Sequence, residues 1–150
     1  MRMDEFGVDG ETTGLFALIF GALALYLIVA IGVYILVSFG LGKCFEKAGK
    51  PLWAAFIPVY NMVVVLEIIG RPLWWLALVL LAIIPIIGSL VVLILSAIVW
   101  IDFAKSFGKT MAWGILITFF SPIMLPIMGF SSDIAYIGPA AKQGGTSNLI

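Results

Sequence analysis

Gly14 to Leu41 is a run of 28 residues without a single charge. About 20 predominantly apolar residues carry a helix across a bilayer, so this segment is expected to span with tilt or to emerge at one end. The rest of the chain is built alike. Hydrophobic residues make up 63% of it and charged residues 11%, against roughly 45–50% and about 25% in ordinary soluble domains. Such a chain has too little polar surface to cover an apolar exterior in water, so lipid is its expected solvent.

Several function classes fall away early. Eight basic residues balance eight acidic ones, which leaves no global electrostatic footprint for nucleic acid. With no histidine and one cysteine, Cys44, an intrachain disulfide, a multi-cysteine metal site and imidazole ligation are not expected. No Gly-rich phosphate loop, HExxH pattern or paired-carboxylate pattern occurs. Ser106 and Lys105 are neighbours in sequence, so they do not face each other on a helix. The expectation is a non-enzymatic protein with no bound cofactor.

Breaks in the apolar sequence predict an all-α membrane protein of four transmembrane helices plus a re-entrant or interfacial helical element. An acidic tail, 1–13, precedes the membrane domain, 14–130, and reads as a retained tail because a secretory leader wants a basic start. Spans are expected over 14–41, 72–87, 88–104 and 111–130, with 52–70 as the re-entrant element. Pro85 and Gly88 mark a tight hairpin between the second and third spans. Pro122 and Pro126 predict a kink in the fourth, with the freed carbonyls met by hydroxyls such as Thr118 and Ser121. From Ser131 to residue 150 a polar, flexible tail is expected.

Positive charge decides the fate of 52–70. Lys and Arg gather in cytoplasmic loops, and Lys43, Lys47 and Lys50 precede this stretch while Arg71 follows it. A crossing here would put Arg71, and after the next hairpin Lys105 and Lys109, on the outer side. A segment that dips in and returns keeps all six on one side. Pro51, Pro58 and Asn61 interrupt the stretch accordingly. Both termini are then expected outside.

Five polar residues lie close to apolar surroundings: Asn61, Glu67, Arg71, Asp102 and Lys105. Intramembrane ionisable groups mark functional sites by default. Local pairing is the blander reading, through Glu67–Arg71 at i,i+4 and Asp102–Lys105 at i,i+3, or across elements through Glu67–Lys105 or Asp102–Arg71. Asn61 is expected to cap a half-helix from Met62 to Ile69. Trp53, Trp74, Trp75, Trp100 and Trp113 are expected as interfacial anchors. Ala17, Gly21 and Ala24, with Gly32 further along, place small residues on one helix face, for contact with the chain's other helices or with a second copy.

The stretches KCFEKAGKPLWAAFIPVYN (43–61), LEIIGRPLWW (66–75) and IDFAKSFGK (101–109), then PIMGF (126–130) and YIGP (136–139), resemble in order a family of small bacterial membrane proteins of unknown function. Its members often carry the label signal peptidase I, because the domain can sit in front of one. The resemblance implies a bacterial inner-membrane protein and supplies no activity. No peptidase domain follows the last span, so that label is not expected to hold.

The expected role is an accessory or scaffold subunit of a membrane assembly, with the bilayer and either further copies or other membrane subunits as partners. A small ion or solute transporter using the re-entrant element is the alternative, and an accessory to protein export or signal-peptide processing is another.

Overall fold

A computed structural model describes residues 9–143, whose regular structure is all helical, with no strand among them. The chain divides into two compact units between Tyr34 and Ile35. Helix α1, Gly10–Lys47, runs through that division. Unit one is its first part. There Asp9 C=O accepts from the Thr12 hydroxyl at 2.6 Å and from Thr13 N–H at 3.1 Å, and Glu11 lies in the first turn, where a negative charge meets the positive end of the helix dipole. The helix thus begins four residues before the expected span and ends six after it. Residues 1–8 of the acidic tail lie outside the described residues.

Unit two holds the rest. A 3₁₀ turn, Leu52–Phe56, leads into α2, Pro58–Ile69. A short α3, Trp75–Leu78, continues as a 3₁₀ segment, Val79–Ile83. Helices α4, Ile87–Ser106, and α5, Met111–Phe130, follow, and a single turn, α6, Ala140–Gln143, comes last. Three helices, α1, α4 and α5, are long and apolar enough to cross a membrane. The chain is therefore a helical membrane protein.

The expected span over 72–87 is where the sequence reading departs most from the structure. No single spanning α-helix forms there: α3 has 4 residues and the 3₁₀ segment 5. Pro85 is the reason, because its ring excludes the α-helical bond to the residue four before it and biases its predecessor away from helix. The hairpin then closes in one tight turn. Pro85 C=O accepts from Ile87 N–H at 2.9 Å, with Ile86 at φ 68° and ψ −67°. Those values define the rare, strained form of γ-turn, and a β-branched residue at positive φ is an outlier.

Helices α1, α2 and α4 end alike. Gly49, Gly70 and Gly108 all take positive φ, 75°, 77° and 71°, which only glycine adopts at no steric cost. Behind each, the next residue bonds back five positions along the chain. Lys50 N–H reaches Phe45 C=O at 2.8 Å, Arg71 N–H reaches Leu66 C=O at 2.9 Å, and Lys109 N–H reaches Ala104 C=O at 2.9 Å. These are Schellman endings. In all three the residue after the glycine is basic, a favourable charge beside the negative end of a helix dipole. Lys47 does the same work for α5, since its ammonium donates to Met128 C=O at 2.8 Å and to Ser131 C=O at 2.6 Å.

In α5 the kink falls at Phe120, whose φ of −125° and ψ of 36° leave the helical region two residues ahead of Pro122. Thr118 bonds Gly114 C=O at 2.9 Å, its own i−4 carbonyl rather than one freed by either proline. Close packing of α1 on α5 depends on Gly40 and Gly129: a Cβ on Gly129 would strike the Gly40 carbonyl oxygen. The core is a cluster of fully buried side chains that includes Phe45, Ile68, Phe103, Ile117 and Met128. Cys44 is buried with them rather than lying at the membrane surface.

Candidate functional site

The charged residues of unit two meet at the common end of its helices. Arg71, just past the end of α2, donates from Nε at 2.9 Å and from Nη2 at 2.6 Å to the same oxygen, Oδ2 of Asp102 on α4. The Asp102 side chain is 12% exposed and that of Arg71 30%. A carboxylate this deep is tolerable because it is both paired and hydrogen-bonded. The guanidinium also sits 4.5 Å from the centre of the Trp75 ring, a cation–π contact.

Glu67 pairs with Lys50 at 2.6 Å, not with Arg71 one turn on. Of the pairings considered from sequence, only Asp102 with Arg71 forms. Lys105 is exposed in the last turn of α4. Asn61 does not cap a helix. Helix α2 begins three residues earlier, at Pro58, where proline suits a first helical position because that N–H has no partner in any case. From inside α2, Asn61 Nδ2 donates back to Ala55 C=O at 3.3 Å and ties the helix to the 3₁₀ turn before it.

The tryptophans separate into two groups. Trp53 and Trp74 are exposed; Trp53 stacks on Tyr60 with ring centres 5.4 Å apart. Trp75, Trp100 and Trp113 are half-buried. Trp100 meets Phe103 edge-on, and Trp113 lies under the Lys109 ammonium at 5.1 Å.

A strap that the sequence did not announce crosses this end. Residues 131–139 were expected to begin a flexible tail. Instead the Tyr136 hydroxyl donates to Ile68 C=O at 2.8 Å, and Ile137 N–H donates to Ser106 C=O at 2.8 Å. Ser106 is fully buried; its hydroxyl donates to Asp102 C=O at 2.8 Å and accepts from Ala140 N–H at 3.0 Å. Pro139 seats against Gly70, where an added Cβ would lie 2.8 Å from the proline Cβ. Burial raises the Tyr136 phenol above its ordinary pKa, opposed by the nearby Lys50 charge. The YIGP run with its aromatic ring and proline was the available signal. Residues 144–150 lie outside the described residues.

Between α1, α2, the α3 limb, α4 and α5 lies an apolar cavity of about 330 Å³. Trp75 and Trp100 form part of its wall, so it adjoins the Arg71–Asp102 pair. Asn61, Ser96 and Ser121 are its polar wall residues.

Residues 53–139 match the model of a family of unknown function, DUF5684. The chain belongs to that family. The DUF5684 match begins at Trp53, in the 3₁₀ turn ahead of α2, and ends at Pro139, the residue seated on Gly70. It therefore takes in the Arg71–Asp102 pair and the whole strap. No curated protein and no solved structure matches the chain.

Proposed function

We propose that the chain is a non-enzymatic integral membrane protein that serves as an accessory or scaffold subunit of a membrane assembly, either a self-oligomer or a larger complex. The supporting observation is the use made of its polar groups. Asn61, Glu67, Arg71 and Asp102 each bond to another element of unit two, so the residues with most chemical capacity hold the bundle together. The same contacts weigh against a transporter built on Glu67, Asn61 and Asp102.

In this reading the protein sits in a bacterial cytoplasmic membrane with its Lys-rich end inside and its N-terminus outside. Residues 52–70 dip in and return. The 72–86 limb rises as an irregular crossing whose described side chains are exposed or half-buried. Small residues let helix backbones approach in lipid, as Gly40 and Gly129 do between α1 and α5. Ala17, Gly21 and Ala24 give the first part of α1 a face of the same kind, suited to a helix of a second subunit.

Extraction in a gentle detergent followed by mass measurement tests the reading. An assembly larger than one chain is expected, and Gly21→Leu should reduce it. A strictly monomeric, partner-free protein would contradict the proposal. Proton or ion flux in reconstituted vesicles that falls in Glu67→Gln and Asp102→Asn variants would favour transport instead.

A further inference from the structure

We infer that the apolar cavity of unit two binds one acyl chain of an anionic phospholipid, with the headgroup held at the basic end of the bundle. The volume, about 330 Å³, is at the lower end of the ~300–1,000 Å³ usual for small-molecule sites. Its wall is almost entirely hydrocarbon. Pro58, Met62 and Val79 belong to that wall and are exposed, which puts a mouth between α2 and the α3 limb. In a membrane the medium at such a mouth is lipid, so the entering group is a hydrocarbon chain.

The direction of that chain follows from the helices. Val92 and Trp100, both on α4, lie along the wall, and eight residues of helix span ~12 Å. The Trp100 end adjoins Asp102, and Trp75 on the opposite wall lies under the Arg71 guanidinium. The cavity therefore runs from the charged end toward the middle of the bundle. A lipid tail in it would leave its phosphate beside Arg71 and Lys105. Lys43, Lys47, Lys50 and Lys109 belong to the same end, as do Asp133 and Lys142 of the segment that crosses it, and with Arg71 and Lys105 there are seven basic residues against Glu46, Glu67, Asp102 and Asp133. That excess of three positive charges favours an anionic headgroup over a zwitterionic one.

Native mass spectrometry of the full chain, incubated in mild detergent with phosphatidylglycerol or phosphatidylcholine of identical tails, provides the test. One retained phosphatidylglycerol per chain is expected, about fivefold over phosphatidylcholine. Ser96→Phe on α4 and Ser121→Phe on α5 each fill the cavity and should abolish retention, while Leu93→Phe, on an exposed position of α4, should preserve it. Lys105→Gln should keep one lipid bound and lower the headgroup preference. Equal retention of the two lipids, or retention unchanged in both filled variants, overturns the inference. Should the phenylalanine variants fail to fold, tail-brominated phosphatidylglycerol must quench the native tryptophan fluorescence more than tail-brominated phosphatidylcholine. Equal quenching gives the same negative answer. Because lipid retention is read per chain, failure here is distinct from failure of the assembly proposed above.

Discussion

Arg71 and Asp102, 31 positions apart, meet on a single carboxylate oxygen at 2.9 and 2.6 Å. The contact joins the end of α2 to the C-terminal part of α4, where Ser106, the α4 residue that receives the strap, donates to the Asp102 carbonyl. Removing one partner of a fully buried pair costs about 3–5 kcal/mol. The Arg71 side chain keeps 30% exposure, so Arg71→Gln and Asp102→Asn should each cost about 2 kcal/mol, below that buried range. A double-mutant cycle in thermal or denaturant unfolding should return a coupling of about 1–2 kcal/mol. Additive losses would show that the contact contributes nothing of its own.

Ile86 holds a conformation that its side chain disfavours, at φ 68° and ψ −67°. Strained backbone of this kind costs of order 1–3 kcal/mol. Glycine relieves the steric part and adds unfolded-state entropy, so Ile86→Gly should stabilise the protein by about 1 kcal/mol. A lower midpoint in thermal unfolding would mean that Ile86 contributes more by contact than it loses by strain.

The three glycine endings should not respond equally to alanine. At Gly49 an added Cβ meets nothing within 4 Å, whereas at Gly70 it lies 2.8 Å from the Pro139 Cβ. Both changes carry the positive-φ penalty of about 1 kcal/mol. Gly70→Ala should cost about 1–3 kcal/mol more, the range for overpacking, and should loosen the strap, seen as faster amide exchange at Ile137. Equal losses at the two sites would count against a packed Gly70–Pro139 contact.

Tyr136 gives the strap a pH dependence of known sign. Its folded pKa is raised by burial, so the folded state holds the phenolic proton more tightly than the unfolded state, whose pKa is about 10. The stabilisation is fully present below that value and is lost as pH rises from it through the folded pKa. The bond to Ile68 C=O needs the same proton. Unfolding midpoints should fall above pH ~10 in the native chain and fall less in Tyr136→Phe, which should already be weaker near neutral pH. Parallel profiles for the two would assign the alkaline loss to other groups.

What could be read from the residues was what depends on local order along the chain. The uncharged run from Gly14 and the Pro85–Gly88 break declare helices in lipid and a hairpin. Arg71, against the lysines before it, points to one end for both limits of 51–71. Other features depend on residues far apart in sequence. Lys47 capping α5 spans 81 positions, and Tyr136 bonding Ile68 spans 68; neither leaves a periodic trace. The 72–87 stretch misled because its apolar content suits a span while Pro72 and Pro85 limit the helix that can form. Asn61 misled because a polar residue inside an apolar segment looks like a cap, yet Pro58 had already begun the helix.

The central claim is that the chain between Lys50 and Arg71 returns to the side it left. Single cysteines at Ala48 and Pro72, in a Cys44→Ala background, can be labelled with a membrane-impermeant maleimide in intact cells and in inverted vesicles. Both should react only in inverted vesicles, which places the two positions together on the cytoplasmic face. Labelling of Ala48 and Pro72 from opposite sides would make residues 51–71 a crossing and contradict the account.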